Sequence, residues 1–556
     1  MRFVVRQRLV GRCRRRERSL CHHHHHRQQC HSRWLSSSSS SSSSSLLGLG
    51  GHKWSRVDPH QYASVVQSAV VTNGWDTIEA GPEGGDLALA NMLKENYQQE
   101  GEQDNATTTT TNPPKLHVLT RIGYRTLDKK DSKTIANDIV VQSERQGGEG
   151  AADLELQLDE GTSNVVVVHN VGREAVDCFL EESPLLSSLG PPTNVNIIPM
   201  IHNPEEMKQQ QGPDRFLDRL TDAFCRLEEV VANNDKNITT FGVVSNGLSL
   251  PPNHPLFLDW QHDVLEAATR AAQRTTQQAS NLSILQLPAN LLETRGIQVA
   301  KDIQAFFQQQ QQQQQGGNDA SSSSSSSCMP VHLQVYAMRP LTCYPDQGTG
   351  TGHPFDLVDY QIPLLPQTDP VWTNEIDKNS PPAVYTQTLN ATMAHFDGTE
   401  LLEAKQERDL TAEERETLDG CKLLQSLLHD MDKGLINARS FAAHEQELLE
   451  SVIPTLYGTL EEIDEESSQL LRAFFTTHSL AIRHAIAQNT RSLLRQGGEG
   501  VPTYPIPPTM RLQEYALQHL LDQEVFAKII VGCSTPEEVN DDTDIAKGGT
   551  RVSLEE

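Results

Sequence analysis

The sequence predicts an α/β fold, a (β/α)8 barrel of the TIM type with long low-complexity inserts and a helical insertion before the last strand. Three observations lead there. Eight short apolar runs of β type recur along the chain without polar alternation, as strands buried on both faces of a parallel sheet do. Amphipathic helical stretches lie between several of them. Polar residues cluster where the runs end, and a barrel of this kind keeps its chemistry at the carboxyl ends of its strands. A doubly wound open sheet is the alternative that the same alternation allows.

The runs are "LLGLGG" from Leu46, "GWDTI" from Gly74, "LHVLTR" from Leu116, "NIIPMIH" ending at His202, "TTFGVVS" ending at Ser245, "SILQLP" from Ser283, "VHLQVYA" from Val331 and "KIIVG" ending at Gly532. A ninth, "NVVVVH" from Asn164, is accessory in this count. Asp58 and Pro59 form a helix start before "HQYASVVQSAVV". From Asp214, "DRFLDRLTDAFCRLEEVV" gathers Phe216, Leu217, Leu220, Phe224 and Leu227 on one helix face. Between the seventh and eighth runs, residues 390–500 read as helical, ending in a long helix with Leu471, Phe474, Phe475, Leu480 and Ile486, closed by Gly497 and Gly498. The helices either cover the barrel mouth, offer a face to a protein partner, or pack on the barrel wall.

Low-complexity segments separate these elements: a serine tract ending at Ser45, "NATTTTTNPP" over 105–114, a glutamine run ending at Gln315, and Ser321 to Ser327. Their composition predicts disordered surface loops, and an interaction role for the glutamine run is the other possibility. The expected organisation is a transit peptide or disordered segment over 1–45, the first seven barrel strands over 46–389, the helical insertion over 390–500, completion of the barrel over 501–545 and a tail over 546–556.

Charge is unevenly distributed. The net charge is −27, yet residues 1–56 carry eleven Arg and one Lys against the single acid Glu17, about +11, so the remainder stands near −38. So acidic a body argues against a nucleic-acid surface, which needs clustered Lys and Arg, and against a membrane surface. No run reaches the eighteen or so apolar residues of a membrane span, and the start lacks the apolar core of a secretory signal. An Arg-rich, acid-poor start running into serine has the composition of a mitochondrial transit peptide. Asn105, Asn237, Asn281 and Asn390 each head an N-x-[ST] match, read as chance without a secretory signal. The nine cysteines are scattered, with no C-x-x-C, and read as reduced thiols. "CHHHHHRQQCH" over 21–31 is read as low complexity rather than a metal site, and no other metal constellation is expected.

Taken in order, "GWDTI", "NIIPMIHNPEE", "FGVVSN", "LQLPANLLE", "RPL" and "IIVGCSTPEEVND" resemble the aldo-keto reductase superfamily from about Leu46 to Asp541. The resemblance implies a barrel that binds NADPH extended across its mouth without a Rossmann domain. "GTGTG" from Gly348 has neither the spacing nor the strand-to-helix setting of a dinucleotide fingerprint. It further implies direct hydride transfer to a carbonyl carbon, with a tyrosine as acid, lysine and aspartate beside it, and a histidine orienting the carbonyl.

Laid on this chain, the aspartate falls at Asp76, with Thr77 and Asp86 in frame and Gly81 in the place of the tyrosine. The lysine position is Arg121, which supplies charge and a fork of donors but no labile proton. His202 matches the histidine and is the candidate acid in place of the missing phenol. Ser245, Asn246 and Gln286 match positions that bond the nicotinamide carboxamide, and Met338 stands where an aromatic usually stacks on the ring. Pro340 and Leu341 complete the cofactor side of the seventh strand. Gly532, Ser534 and Thr535 fall where the last loop holds phosphates. No Arg or Lys stands just after Thr535, where the chain reads "PEEVNDD", so NADP and NAD both stay open. The resulting expectation is an oxidoreductase acting on a small carbonyl or alcohol. The alternatives are a catalytically degenerate barrel that binds nucleotide or a protein partner without turnover, and an interaction protein working through its glutamine run. Tyr124, three residues past Arg121, is the substitute hydroxyl that would favour the enzyme.

Fusing residues 1–45 to a fluorescent reporter is expected to send it to mitochondria; a purely cytosolic signal would remove the targeting reading.

Overall fold

The computed structural model describes residues 45–51, 59–80, 85–97, 115–128, 165–169, 171–188, 194–233, 237–316, 328–344, 354–359, 381–397, 410–454, 465–497 and 502–548. The expected transit segment, Gly81, the threonine run, Gly498 and the second serine tract lie outside them.

Twelve strands occur among the described residues: β1 Leu47–Leu49, β2 Thr77–Glu79, β3 Leu116–Ile122, β4 Tyr124–Asp128, β5 Val165–His169, β6 Val195–His202, β7 Phe241–Val244, β8 Leu282–Pro288, β9 Gln334–Met338, β10 Thr342–Cys343, β11 Phe355–Asp356 and β12 Lys528–Val531. Eight form one closed parallel barrel in the order β1-β12-β9-β8-β7-β6-β3-β2. These are the eight apolar runs, and closure excludes the open sheet. Leu47, Gly48 and Leu49 pair with Ile529, Ile530 and Val531, and Leu49 pairs with Ile78 across the other edge. The ninth run, β5, pairs antiparallel with β4 outside the barrel, so it is indeed accessory.

Alternation along each strand divides its side chains between two cores. Leu119, Ile198, Met200, Val244, Ile284, Tyr336 and Ile530 pack together inside the barrel. Their neighbours of opposite parity, such as Val118, Ile197, Leu285 and Ile529, join the larger shell between strands and helices. Helix Pro213–Ala232 supplies that shell with Phe216, Leu220, Phe224 and Leu227, all fully buried, and the Phe224 ring lies 5.2 Å from Phe241 on β7.

The glutamine run departs from expectation. Helix Arg295–Gly316 continues straight through Gln308 to Gln315. Gln is a good helix former, and a helix already nucleated on the barrel by Ile297, Ala300, Ile303 and Phe307 extends at one hydrogen bond per residue.

Between β9 and β12 the chain forms helices Pro381–His395, Ala412–Gly434, Phe441–Glu447 and Glu465–Gln496. They build a core of their own, in which Tyr385, Leu424, Leu428, Leu471 and Phe474 meet. The longest helix ends at Gly497, whose φ of 69° is the left-handed cap conformation, with its N–H on Leu493 O at 2.9 Å. The last turns of that helix, through Ala487 and Leu494, pack with Leu291 and Leu292 after β8 and with Cys343 and Phe355 of the β10–β11 ribbon. Arg491 holds Asp359, and Tyr504 donates to Leu291 O at 2.8 Å. The insertion is therefore anchored on loops that leave the carboxyl ends of β8 and β9. No helix among the described residues is long and apolar enough to cross a membrane. The six cysteines among them form no disulfide.

Two glycines separate packing from propensity. A Cβ on Gly296 would lie 1.9 Å from Pro288 O, so Gly296→Ala is expected to destabilise the fold by about 3 kcal/mol. Gly434 is helical at φ −59° with nothing within 4 Å, and Gly434→Ala is expected to stabilise by about 0.5–1 kcal/mol. Urea unfolding of both variants measures the contrast.

Candidate active site

Strand parity decides which polar groups reach the barrel mouth. Arg121 lies two residues beyond inward-facing Leu119, His202 two beyond Met200, Gln286 two beyond Ile284 and Met338 two beyond Tyr336. On β2, Ile78 faces the outer shell, so Thr77 and Glu79 face inward. The register aligns His202 with Val244 and Val244 with Gln286, and Ser245 N donates to Gln286 O at 3.0 Å. Five adjacent strands, β2, β3, β6, β7 and β8, thus carry Glu79, Arg121, His202, Ser245 and Gln286 at their carboxyl ends.

Asp76 does not belong to this ring. It was expected to close its strand, but it precedes β2 and lies at the opposite end of the barrel. There its carboxylate accepts from Lys528 Nζ at 2.5 Å and from Thr77 Oγ1 at 2.9 Å, while Lys528 also bonds Ser45 O. His117 and Asn196 lie at the same end, Nδ1 to Nδ2 at 3.3 Å, and Thr239 Oγ1 donates to Asn196 Oδ1 at 2.9 Å. Burial lowers the His117 pKa against the opposing pull of Asp76. Polar pairs at the amino end of a barrel serve stability.

The carboxylate that faces inward at the carboxyl end of β2 is Glu79. Arg121 grips its Oε1 through Nη2 at 2.9 Å and through Nε at 3.3 Å. The strand spacing explains the pair: Glu79 is in register with Leu119, so Arg121 stands diagonally across from it on the same face. The apolar run "GWDTI" did not show Glu79 because only the start of the strand distinguishes it from Asp76.

Gln286 is 0% exposed, and neither atom of its carboxamide has a hydrogen-bond partner among the described residues. Leaving a buried amide unbonded costs about 1–3 kcal/mol, so a group offering both a donor and an acceptor would be stabilised there. His202 is buried beside it on β6, one strand beyond β7.

Ser245 is not idle. Its hydroxyl donates to Glu205 Oε2 at 2.6 Å, and Gly247 N donates to Glu205 Oε1 at 2.9 Å. Glu205 opens the short helix Glu205–Gln211 just after β6 and is 1% exposed. Burial pushes its carboxyl up to about 7, against hydrogen bonds from Ser245, from its own backbone N–H and from Gly247, with Glu206 adding like-charge repulsion. Sequence reading missed Glu205; its signal was the acid pair following "HNP", read only as part of a motif. Asn246, half-buried, begins the turn Gly247–Ser249.

The expected phosphate end is differently built. Thr535 caps helix Pro536–Ala546 by accepting from Glu538 N at 3.2 Å, and the Ser534 N–H points at Glu538 Oε2 at 2.5 Å. A carboxylate therefore occupies the donor that a phosphate would use, with Glu537 beside it. Gly532 follows β12 directly. Pro340 is buried and Leu341 half-buried in the turn after β9. Arg339 there adopts φ 58°, and its guanidinium bonds Glu293 Oε1 at 3.0 Å. The side chain of Tyr124 lies outside the described residues.

No family model matches the chain, and no curated protein does. Among solved structures it is similar to the holo form of an aldo-keto reductase from Bacillus halodurans, at 11% identity and a TM-score of 0.34, over 92% of this chain and 89% of that one. An overlap that loose adds nothing to the site; the barrel rests on its own strand register.

The Glu79–Arg121 pair predicts an asymmetry. Arg121→Met strands a largely buried carboxylate and is expected to cost on the order of 3 kcal/mol, whereas Glu79→Gln with Arg121→Met together should recover most of it. A double-mutant cycle by urea unfolding tests this.

Proposed function

We propose that this barrel is a nicotinamide-dinucleotide-dependent oxidoreductase of the aldo-keto reductase type, acting on a small carbonyl or alcohol. The observation that carries the reading is the unbonded carboxamide of Gln286, fully buried at a strand end next to Ser245, with His202 two strands away across β7. A nicotinamide carboxamide is a planar group with one acceptor and two donors, the complement of that side chain. The donor set suits such a ring: Gln286 and Ser245 for its amide, Asn246 at the start of the adjoining turn, and Met338 as an apolar, polarizable surface. Pro340, Leu341 and Gly532 lie along the route that the resemblance assigns to the rest of the dinucleotide. When bound, the nicotinamide supplies or accepts the hydride.

The remaining work falls to residues of the chain. His202 hydrogen-bonds the carbonyl oxygen and, as the general acid, delivers the proton that balances hydride addition. Arg121 keeps a positive charge at the mouth and is oriented by Glu79, but its guanidinium cannot lose a proton. The acids at Ser534 and Thr535 oppose a 2′-phosphate there, which favours NAD(H) over the NADP(H) that the resemblance suggests.

A second reading has its own observation. Because Arg121 is spent on Glu79 rather than on a phenol, a barrel that binds nucleotide or a protein partner without turnover fits the same geometry.

Titration with NADH and NADPH, followed by nucleotide fluorescence, is expected to show binding that Gln286→Leu weakens about 5- to 50-fold, the worth of one or two hydrogen bonds. His202→Ala should leave affinity unchanged and slow aldehyde reduction about 10²- to 10⁴-fold. Binding without any measurable reduction selects the second reading. No binding of either nucleotide would falsify both.

A further inference from the structure

We infer that Glu205 is a positioning residue whose proton sets the direction of the Ser245 hydrogen bond, so that nucleotide affinity follows the protonation of a buried acid outside the catalytic ring. The inference rests on the dinucleotide reading and deepens it. Ser245 has one hydrogen, and Glu205 Oε2 takes it at 2.6 Å. In that state the Ser245 oxygen is only an acceptor toward a ligand. The other carboxylate oxygen is committed to the Gly247 N–H at 2.9 Å, a donor that cannot reverse. A proton arriving at Glu205 therefore goes to Oε2. The new O–H donates to Ser245 Oγ, the serine hydrogen rotates away, and Ser245 becomes a donor to the ligand's carbonyl oxygen. No bond other than O–H is made or broken.

The geometry allows little else. A Cβ on Gly247 would meet Glu205 Cβ at 2.9 Å and Leu256 O at 2.4 Å, so the turn lies tightly over the acid and Glu205 cannot swing to water. Burial holds the carboxyl near neutrality, at about 7, and Glu206 is the charge acting on it. Lys208, one turn along the same helix, is neutralised by Asp263 at 2.5 Å and held on Phe257 O. His254 in the covering loop accepts from Leu256 N, and His202 ends the preceding strand.

Glu205→Gln is the decisive variant. Its Oε1 can still accept from Gly247 and its Nε2 can only donate to Ser245, which freezes the protonated arrangement. NADH is the probe, because the 2′-phosphate of NADPH itself titrates near pH 6. Between pH 5.5 and 8.5 the wild type is expected to bind NADH about 2- to 10-fold more weakly above pH 7 than below it, one neutral hydrogen bond's worth. Glu205→Gln should be flat at the tight limit and Ser245→Ala flat at the weak one. ADP-ribose, which lacks the nicotinamide, should show no transition.

A pH response that survives in Glu205→Gln, which retains His202 and Glu206, overturns the inference, as does a shared transition for ADP-ribose or a flat wild type. Urea unfolding without nucleotide keeps the two readings apart. The folded state binds the extra proton between pH 4.5 and about 7, so wild-type stability should fall relative to Glu205→Gln as pH rises through that window and level off above it. If that slope appears but NADH binds at no pH, the proton assignment stands and the dinucleotide reading falls together with the ligand role. If the slope is absent, Glu205 does not carry the proton.

Discussion

Three residues of β1 hold the barrel shut. Leu47, Gly48 and Leu49 lie between β2 and β12 and join segments more than 450 residues apart. Leu47 and Leu49 face the outer shell, while Gly48 lies close against β12: a Cβ there would come within 2.6 Å of Ile530 Cδ1, which would have to shift. Every other feature depends on that closure, because only a closed parallel sheet sends eight carboxyl ends to one face without leaving an edge. The loop-closure cost of so distant a pairing grows only logarithmically with length, which is why long inserts between strands are compatible with it.

The two ends of the barrel use buried charge differently. At the amino end, Lys528 and Asp76 neutralise each other and Lys528 also bonds the Ser45 carbonyl, while Asn196 bonds both His117 and Thr239. Outside the strands, Glu228 on helix Pro213–Ala232 is just as thoroughly satisfied, by Ser280 and by both donors of Asn281. At the carboxyl end, satisfaction is incomplete. Gln286 has no partner among the described residues. Gln286 is thus a fully buried amide with unmet hydrogen-bonding capacity at the strand ends.

The helical insertion contributes by where it lands. The last turns of its long helix, at Ala487 and Leu494, pack on the segments that follow β8 and β9. Its anchors, Arg491 on Asp359 and Tyr504 on Leu291, brace the loops after β8 and β9. Those loops follow Gln286 and Met338.

The sequence by itself determined the strands and the periodicity that sorts them. Eight apolar runs were readable because strands buried on both faces need no polar alternation, and the inward positions of Arg121, His202 and Gln286 follow from counting by twos once an inner residue is known. The helix face of Phe216, Leu220 and Phe224 was equally plain, being a local 3.6-residue pattern. Strand ends were not, because an end is set by the neighbour's register. Asp76 and Glu79 are three residues apart in one run, and only the pairing of Thr77 with His117 sends the first to the amino end and the second to Arg121. The helical glutamine run likewise depends on a packed helix to extend from. Glu205 is the clearest case of what tertiary structure alone decides. Nothing in a solvent-friendly acid pair announces burial; its environment comes from Ser245 and Gly247, some forty residues away, and from the loop that closes over them.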